Sequence, residues 1–226
     1  SEVERMVLSL KKSDFWEGNS FTQLGRFFKK GWKGYSGVLT GQATRNLLNP
    51  YLGGKSFSDL PVHLGIAVSN LTKAKRELIT EGNVLDAVMA SIAFPFLYEV
   101  QTFNNSEFLD GGIGDSEPIK ELILDPRIDK IVIHQINNSR PISKSVIKRA
   151  FDASVSIIES ETEDLKTLLA KEKGKRLIRL ETQTPYLSPN DFSLGKFAMA
   201  EVRGTAYKNK ELILAENQFS LFPFPI

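Results

Sequence analysis

The sequence predicts an α/β fold with a mainly parallel sheet flanked by helices, and three observations carry that expectation. Two short runs, His63-Leu64-Gly65-Ile66-Ala67-Val68 and Ile131-Val132-Ile133-His134-Gln135-Ile136, are almost wholly apolar, as strands buried on both faces must be. Segments with helical spacing alternate with them, the order that places helices over a parallel sheet. The 226 residues are 41% hydrophobic and 25% charged, enough apolar surface to build a core. Linkers are short throughout, so residues 1–226 read as a single domain.

The elements follow in order. Ser1-Glu2-Val3-Glu4 is a capping pattern that starts a helix from Glu2 to about Lys12, with Val3, Met6, Val7 and Leu10 as its apolar positions. A chain that opens directly on a helix carries the expectation of a segment upstream of Ser1. A helix from Gln42 to Leu52 stops at Gly53-Gly54. Pro61 leads into the first apolar strand, which closes on polar Ser69-Asn70. Asn83 caps a helix carrying Val84, Leu85, Val88, Met89 and Ile92, and Pro95 ends it. Tyr98 to Phe103 and Glu107 to Leu109 read as strands joined by Asn104-Asn105-Ser106. Glu117-Pro118-Ile119 opens a helix to Leu124, and the second apolar strand follows. A long amphipathic helix from Lys144 to Lys171, a strand from Leu177 to Leu180 and a helix from Gly195 to Glu216 complete the pattern.

Composition excludes several classes of function. Lys and Arg total 29 against 27 Asp and Glu, so there is no global field of the kind that draws a protein onto nucleic acid, and no nucleic-acid partner is expected. With no cysteine and two histidines, disulfides, thiolate catalysis and the usual metal sites are excluded, and no cofactor is expected. No apolar run reaches the roughly 18 residues that cross a bilayer, and charges from Glu2 onward break any signal-peptide pattern.

The informative stretch runs from Pro61 to Ile136. A short strand delivers Asp110 into Gly111-Gly112, and two glycines let the backbone pass close to whatever that carboxylate faces. Carboxyl ends of strands are where open α/β sheets bind ligands. On their own these three residues read better as a plain turn. Asp115 reads as a helix N-cap or first-turn charge. His63 and His134 sit within apolar runs and read as hydrogen-bonded core or strand-end residues.

Ala90-Ser91-Ile92-Ala93-Phe94-Pro95-Phe96, Phe108-Leu109-Asp110-Gly111-Gly112-Ile113 and Glu117-Pro118-Ile119 resemble, in order and spacing, the second half of the patatin-like lipid acyl hydrolases. The likeness extends upstream to Leu60-Pro61-Val62 through Leu71-Thr72. Downstream it extends, more weakly, to Asp191-Phe192 and Gly204-Thr205-Ala206-Tyr207. It implies a three-layer patatin-like fold lacking its N-terminal strands, and a serine and aspartate dyad in which Asp110 is the general base, with Gly111 and Gly112 as the motif loop. The family's glycine-rich oxyanion loop and Gly-x-Ser-x-Gly elbow are missing here. The segments around Ser20, Ser36, Ser56 and Ser116 each lack the second glycine. The absent strand, helix and elbow would occupy on the order of 50 residues or more, so the nucleophile is expected upstream of residue 1.

The resemblance thus implies a serine esterase or phospholipase cleaving fatty-acyl esters, the chain alone being inactive for lack of the nucleophile. The alternative is a non-catalytic patatin-like protein that binds lipid or a partner, and a third reading is an unrelated α/β protein with a chance Asp-Gly-Gly. Around Arg26 to Tyr35, Phe27, Phe28, Lys29, Lys30 and Trp32 suit peripheral contact with a lipid surface, and equally suit an amphipathic helix end with a solvated face. A cytoplasmic or peripheral-membrane location follows from these expectations. The apolar Phe219 to Ile226 run reads as packed on the body or a partner, with membrane contact as a third reading. Substrate headgroup, acyl length and oligomeric state are not written in these residues.

Overall fold

The computed structural model describes residues 2–17, 37–113, 115, 117–138 and 146–184. Their elements in chain order are α1 (Glu2–Ser9), β1 (Gly37–Leu39), α2 (Gln42–Leu52), β2 (Ile66–Asn70), β3 (Lys75–Ile79), α3 (Val84–Ser91), β4 (Phe96–Tyr98), β5 (Gln101–Phe103), β6 (Ser106–Asp110), α4 (Lys120–Leu124), β7 (Lys130–Asn138), α5 (Val146–Glu172) and β8 (Arg176–Thr184). The protein is mixed α/β with parallel strand pairing, as the sequence predicts. The described residues fall into two compact units, one within residues 11–120 and 153–164, the other within residues 2–10, 121–152 and 165–184.

In the first unit a four-stranded sheet runs in the order β3-β2-β6-β5, and β1 and β4 form a separate parallel pair. Helix α3 packs Val84, Leu85, Ala87, Met89 and Ala90 into the core. Val68 of β2, Ala90 of α3 and Phe108 of β6 form one cluster, with Phe103 stacked on Phe108 at 4.3 Å between ring centroids. Such burial, worth about 1.5–3 kcal/mol per large apolar side chain, fixes β6 beneath α3. Leu39, Ala93 and Tyr98 form a second cluster, to which Trp16 adds its ring. At the start of α3 the Asn83 Oδ1 accepts the Asp86 N–H at 3.1 Å, as predicted.

Helix α2 spans the predicted residues but begins by a device the sequence did not disclose. Gly41 holds the N-cap position in the left-handed conformation, φ 86°, and has no side chain to cap with. The Glu17 carboxylate fills that role from a distant part of the chain. Its Oε1 accepts the Ala43 N–H at 2.9 Å, and its Oε2 accepts the Thr40 N–H at 2.9 Å and the Thr40 hydroxyl. An anion at the positive end of a helix is stabilising as well as satisfying orphan donors.

The first apolar run requires a correction. The strand is Ile66–Asn70 rather than 63–68, and although interior it is antiparallel to both neighbours, β3 and β6. The reason is the connection. Leu71 to Ala74 is only four residues long, and such a link joins antiparallel strands, whereas a parallel return needs a crossover of a dozen residues or more. His63 therefore lies outside the strand and is exposed. The hairpin between β5 and β6 is the predicted one, and Asn104 and Asn105 take φ of 47° and 56°, the left-handed pair of a type I′ turn.

In the second unit the other apolar run, within β7, pairs in parallel with β8 from Lys130↔Arg176 to Asn138↔Thr184. Ile131, Ile133 and Leu180 are buried. His134 is exposed rather than in the core, and its Nε2 lies 2.8 Å from the Thr182 hydroxyl. The Lys175 ammonium donates to the Asp125 and Ile128 carbonyls, which anchors the entry to β7. The helix expected at 195–216, the lipid-contact run at Phe27, Phe28, Lys29, Lys30 and Trp32, and the terminal apolar run lie outside the described residues. Among the described residues no helix is long and apolar enough to cross a membrane, and no group of three or more His, Asp or Glu is placed to hold a metal ion.

Candidate active site

Asp110 is the last residue of β6, opposite Val68 on the central strand β2. Main-chain bonds fix it on both sides. Its N–H donates to the Ala93 carbonyl at 3.0 Å, and its carbonyl accepts the Ser69 hydroxyl at 2.9 Å. The carboxylate Oδ1 accepts the Gly112 N–H at 2.8 Å, which sets its orientation. Burial raises the Asp110 pKa above the usual carboxylate value, against a smaller lowering by the Gly112 N–H. A carboxylate held at a strand end, partly desolvated and oriented by one amide, is chemically a base whose affinity for a proton exceeds that of an exposed aspartate.

The two glycines have different reasons to be there. A Cβ on Gly111 would fall on the main-chain carbonyl of Ala67 in β2, so only glycine lets the chain cross β2 at that distance. A Cβ on Gly112 would stand 3.2 Å from the Asp110 Oδ1, where it would crowd the carboxylate rather than the backbone. Neither glycine takes a positive φ, so close approach, and not a left-handed turn, accounts for both.

Asp115 is not the helix cap that its sequence position suggests, because α4 begins only at Lys120. Its Oδ1 accepts the Glu117 N–H at 2.9 Å, and its N–H reaches the Gly111 carbonyl at 3.4 Å. Its Oδ2 lies 3.6 Å from the Arg76 Nε, and both side chains are largely shielded, 9% and 16% exposed. Beside the site, Phe94 and Ile113 leave about half their surface to solvent, 53% and 43%. Phe94 follows Ala93, the residue that receives the Asp110 N–H.

Of the residues singled out from sequence, the structure brings Asp110, Gly111 and Gly112 together at the end of β6, while His63 lies exposed ahead of β2 and His134 lies on β7 of the other unit. Ser69, Ala93 and Arg76 were missed. Ser69 could have been found from its place at the end of an apolar strand. Arg76 could not, since only the β2–β3 register, Ser69↔Arg76, brings it there. The family model of the patatin-like phospholipases matches residues 1–123, a span that contains β1 to β6, Asp110 and both glycines. The weaker likeness at Asp191-Phe192 and Gly204 to Tyr207 lies outside both that span and the described residues. With more than half of its 226 residues matched and Asp110-Gly111-Gly112 inside the match, the chain belongs to the patatin-like phospholipases, a family of lipid acyl hydrolases.

Proposed function

We propose that this protein is a serine acyl hydrolase of fatty-acyl esters in which Asp110 is the general base and the nucleophilic serine lies on a segment outside residues 1–226. The observation that carries the reading is the state of Asp110, a partly buried carboxylate at a strand end, with its pKa raised and one oxygen held by the Gly112 N–H. The absence of a Gly-x-Ser-x-Gly elbow from the sequence supports the second half of the proposal.

In this reaction the serine oxygen attacks the ester carbonyl while its proton passes to Asp110. The tetrahedral intermediate collapses, the ester C–O bond breaks, and the departing alcohol takes the proton from Asp110. Water then attacks the acyl-enzyme and gives its proton to the same carboxylate. The second collapse releases the fatty acid and returns the proton to the serine oxygen. A single acid–base residue serves both halves, so no histidine is needed.

The test is hydrolysis of p-nitrophenyl acyl esters and of phospholipid vesicles by the full-length gene product. Asp110→Asn keeps the shape and the Gly112 bond but removes the base, and turnover should fall about 100-fold or more with the fold intact. Near-normal turnover by a folded Asp110→Asn would overturn the assignment. A complete reading frame without a serine elbow would favour the non-catalytic, lipid-binding reading.

A further inference from the structure

We propose that the β2–β3 hairpin is a clamp on the loop that carries the base, with Arg76 and Ser69 as positioning residues that hold the Asp110–Asp115 segment through the Asp115 carboxylate and the Asp110 carbonyl. The proposal rests on the reading of Asp110 as the base, and adds the residues that keep it in place.

The register supplies the geometry. Ser69 stands opposite Arg76 on β3 and opposite Leu109 on β6. Residues directly opposite in antiparallel strands share a face, so Ser69 and Arg76 lie together on one face of the sheet. Val68 and Asp110 form the adjacent row and point to the other face. The clamp therefore grips the loop from the side away from the carboxylate, and Ser69 holds the base through its main-chain carbonyl rather than its carboxylate.

Three attachments converge on the loop. The Ser69 hydroxyl donates to the Asp110 carbonyl at 2.9 Å. Gly111 lies so close to Ala67 that no side chain fits between them. Arg76 pairs with Asp115 at 3.6 Å, and Asp115 in turn closes the turn through the Glu117 N–H. The need for such attachments follows from chemistry. A carboxylate that is partly buried and ionised gains hydration by swinging out to water, and two successive glycines offer little resistance to that motion. The Gly112 N–H sets the carboxylate direction, and Gly112 lies in the short 3₁₀ turn Gly111–Ile113, whose position depends on what fastens it to β2 and β3. A displacement of about 1 Å at a reacting group can cost about 100-fold in rate. Because Arg76 and Asp115 are both largely shielded from solvent, their attraction is little screened by water and acts on the loop more strongly than an exposed pair would.

The experiment uses the full-length protein with a p-nitrophenyl ester. Arg76→Gln, Asp115→Asn and their double variant are compared with Arg76→Lys, Ser69→Ala and Asp110→Asn for kcat, KM and thermal midpoint. The clamp predicts that Arg76→Gln and Asp115→Asn each lower kcat about tenfold with KM within about twofold, the mark of a displaced reacting group rather than lost substrate binding. The double variant should be no worse than the worse single, because the two residues act as one unit. Arg76→Lys should recover much of the loss, and Ser69→Ala should lie between. Hydrogen exchange gives a readout independent of turnover, and the Gly112 amide should exchange faster in both pair variants while amides of α3 do not. If Arg76→Gln and Asp115→Asn keep kcat within about twofold while Asp110→Asn is inactive, the clamp is overturned and the base stands. If Asp110→Asn is itself active, the base assignment fails and the clamp with it. Losses that only track a lowered thermal midpoint, with no rescue by Arg76→Lys, would also overturn the clamp.

Discussion

A carboxylate can take a proton from a hydroxyl only while it is ionised, so with Asp110 as the proposed base, the burial that raises its pKa would also set the acidic limit of activity. In full-length enzyme the acidic limb of kcat/KM should lie above the 3.8 of an ordinary aspartate, and activity should be lost as pH falls through it. The sign for stability is opposite to that of most carboxylates. A raised folded-state pKa contributes stability that is complete below the unfolded value and is lost as pH rises through the folded one. At neutral pH the ionised Asp110 is therefore a cost to the fold, and Asp110→Asn, which can still accept the Gly112 N–H, should melt at the same temperature or higher. A clearly lower midpoint at pH 7 would refute this. Gly111→Ala should harm both folding and activity, since its Cβ meets the Ala67 backbone. Gly112→Ala should mainly harm activity, since its Cβ meets the carboxylate itself. The strand end that Asp110 and its glycines form was legible because the motif is written in consecutive residues. Arg76 was not, because strand register alone unites it with the loop, while Ser69 showed only as the polar end of an apolar run.

At the scale of elements, what the sequence revealed follows from where each signal is stored. Helix α2 and helix α3 were legible to within a residue or two, since their apolar spacing and end residues are local, and the β5–β6 hairpin was written in Asn104-Asn105. Strand β3 was not read at all. Lys75-Arg76-Glu77-Leu78-Ile79 puts three charges ahead of its apolar residues, because it is an edge strand, and charge on an edge discourages pairing with other chains. Strand β1, three residues long, is too short for any periodic signal. The cap on α2 was hidden for a related reason, as Glu17 lies more than twenty positions from the amides it receives. Its value can be measured. Glu17→Ala should destabilise the protein by about 0.5–2 kcal/mol, the range for loss of a good N-cap, read as a shift in denaturant midpoint at unchanged slope. Glu17→Gln should lose less, since an amide oxygen can still accept those N–H groups. Equal stability of all three proteins would mean that water replaces the cap at no cost.

The division into two units makes the acid response of the whole molecule a measure of how they are linked. In the unit of residues 11–120, Asn70, Lys73 and Lys75 surround Glu77 and hold its pKa down to about 2, with the Asn70 amide the largest cause. In the other unit, Arg127 lowers Asp125 to about 2, first through its side-chain hydrogen bonds. A depressed pKa contributes stability that is present above the unfolded value and lost as pH falls through the folded one. Both units should therefore weaken as pH falls from 4.5 toward about 2, while Asp110 works in the opposite direction within the first. Glu77→Gln removes the ionised partner. It should lower stability at pH 7, make little difference near pH 2, and so flatten the acid dependence. Asp125→Asn should do the same for the other unit, by a smaller amount because its pair is open to solvent and screened. Trp16 packs within the unit of residues 11–120, so in a Trp32→Phe background tryptophan fluorescence follows that unit while far-ultraviolet dichroism follows helices and strands of both. If the units unfold as one, each substitution shifts both signals together at every pH. If they unfold separately, Glu77→Gln moves the fluorescence transition and Asp125→Asn leaves it in place. An acid dependence that neither substitution flattens would show that these two carboxylates do not govern it.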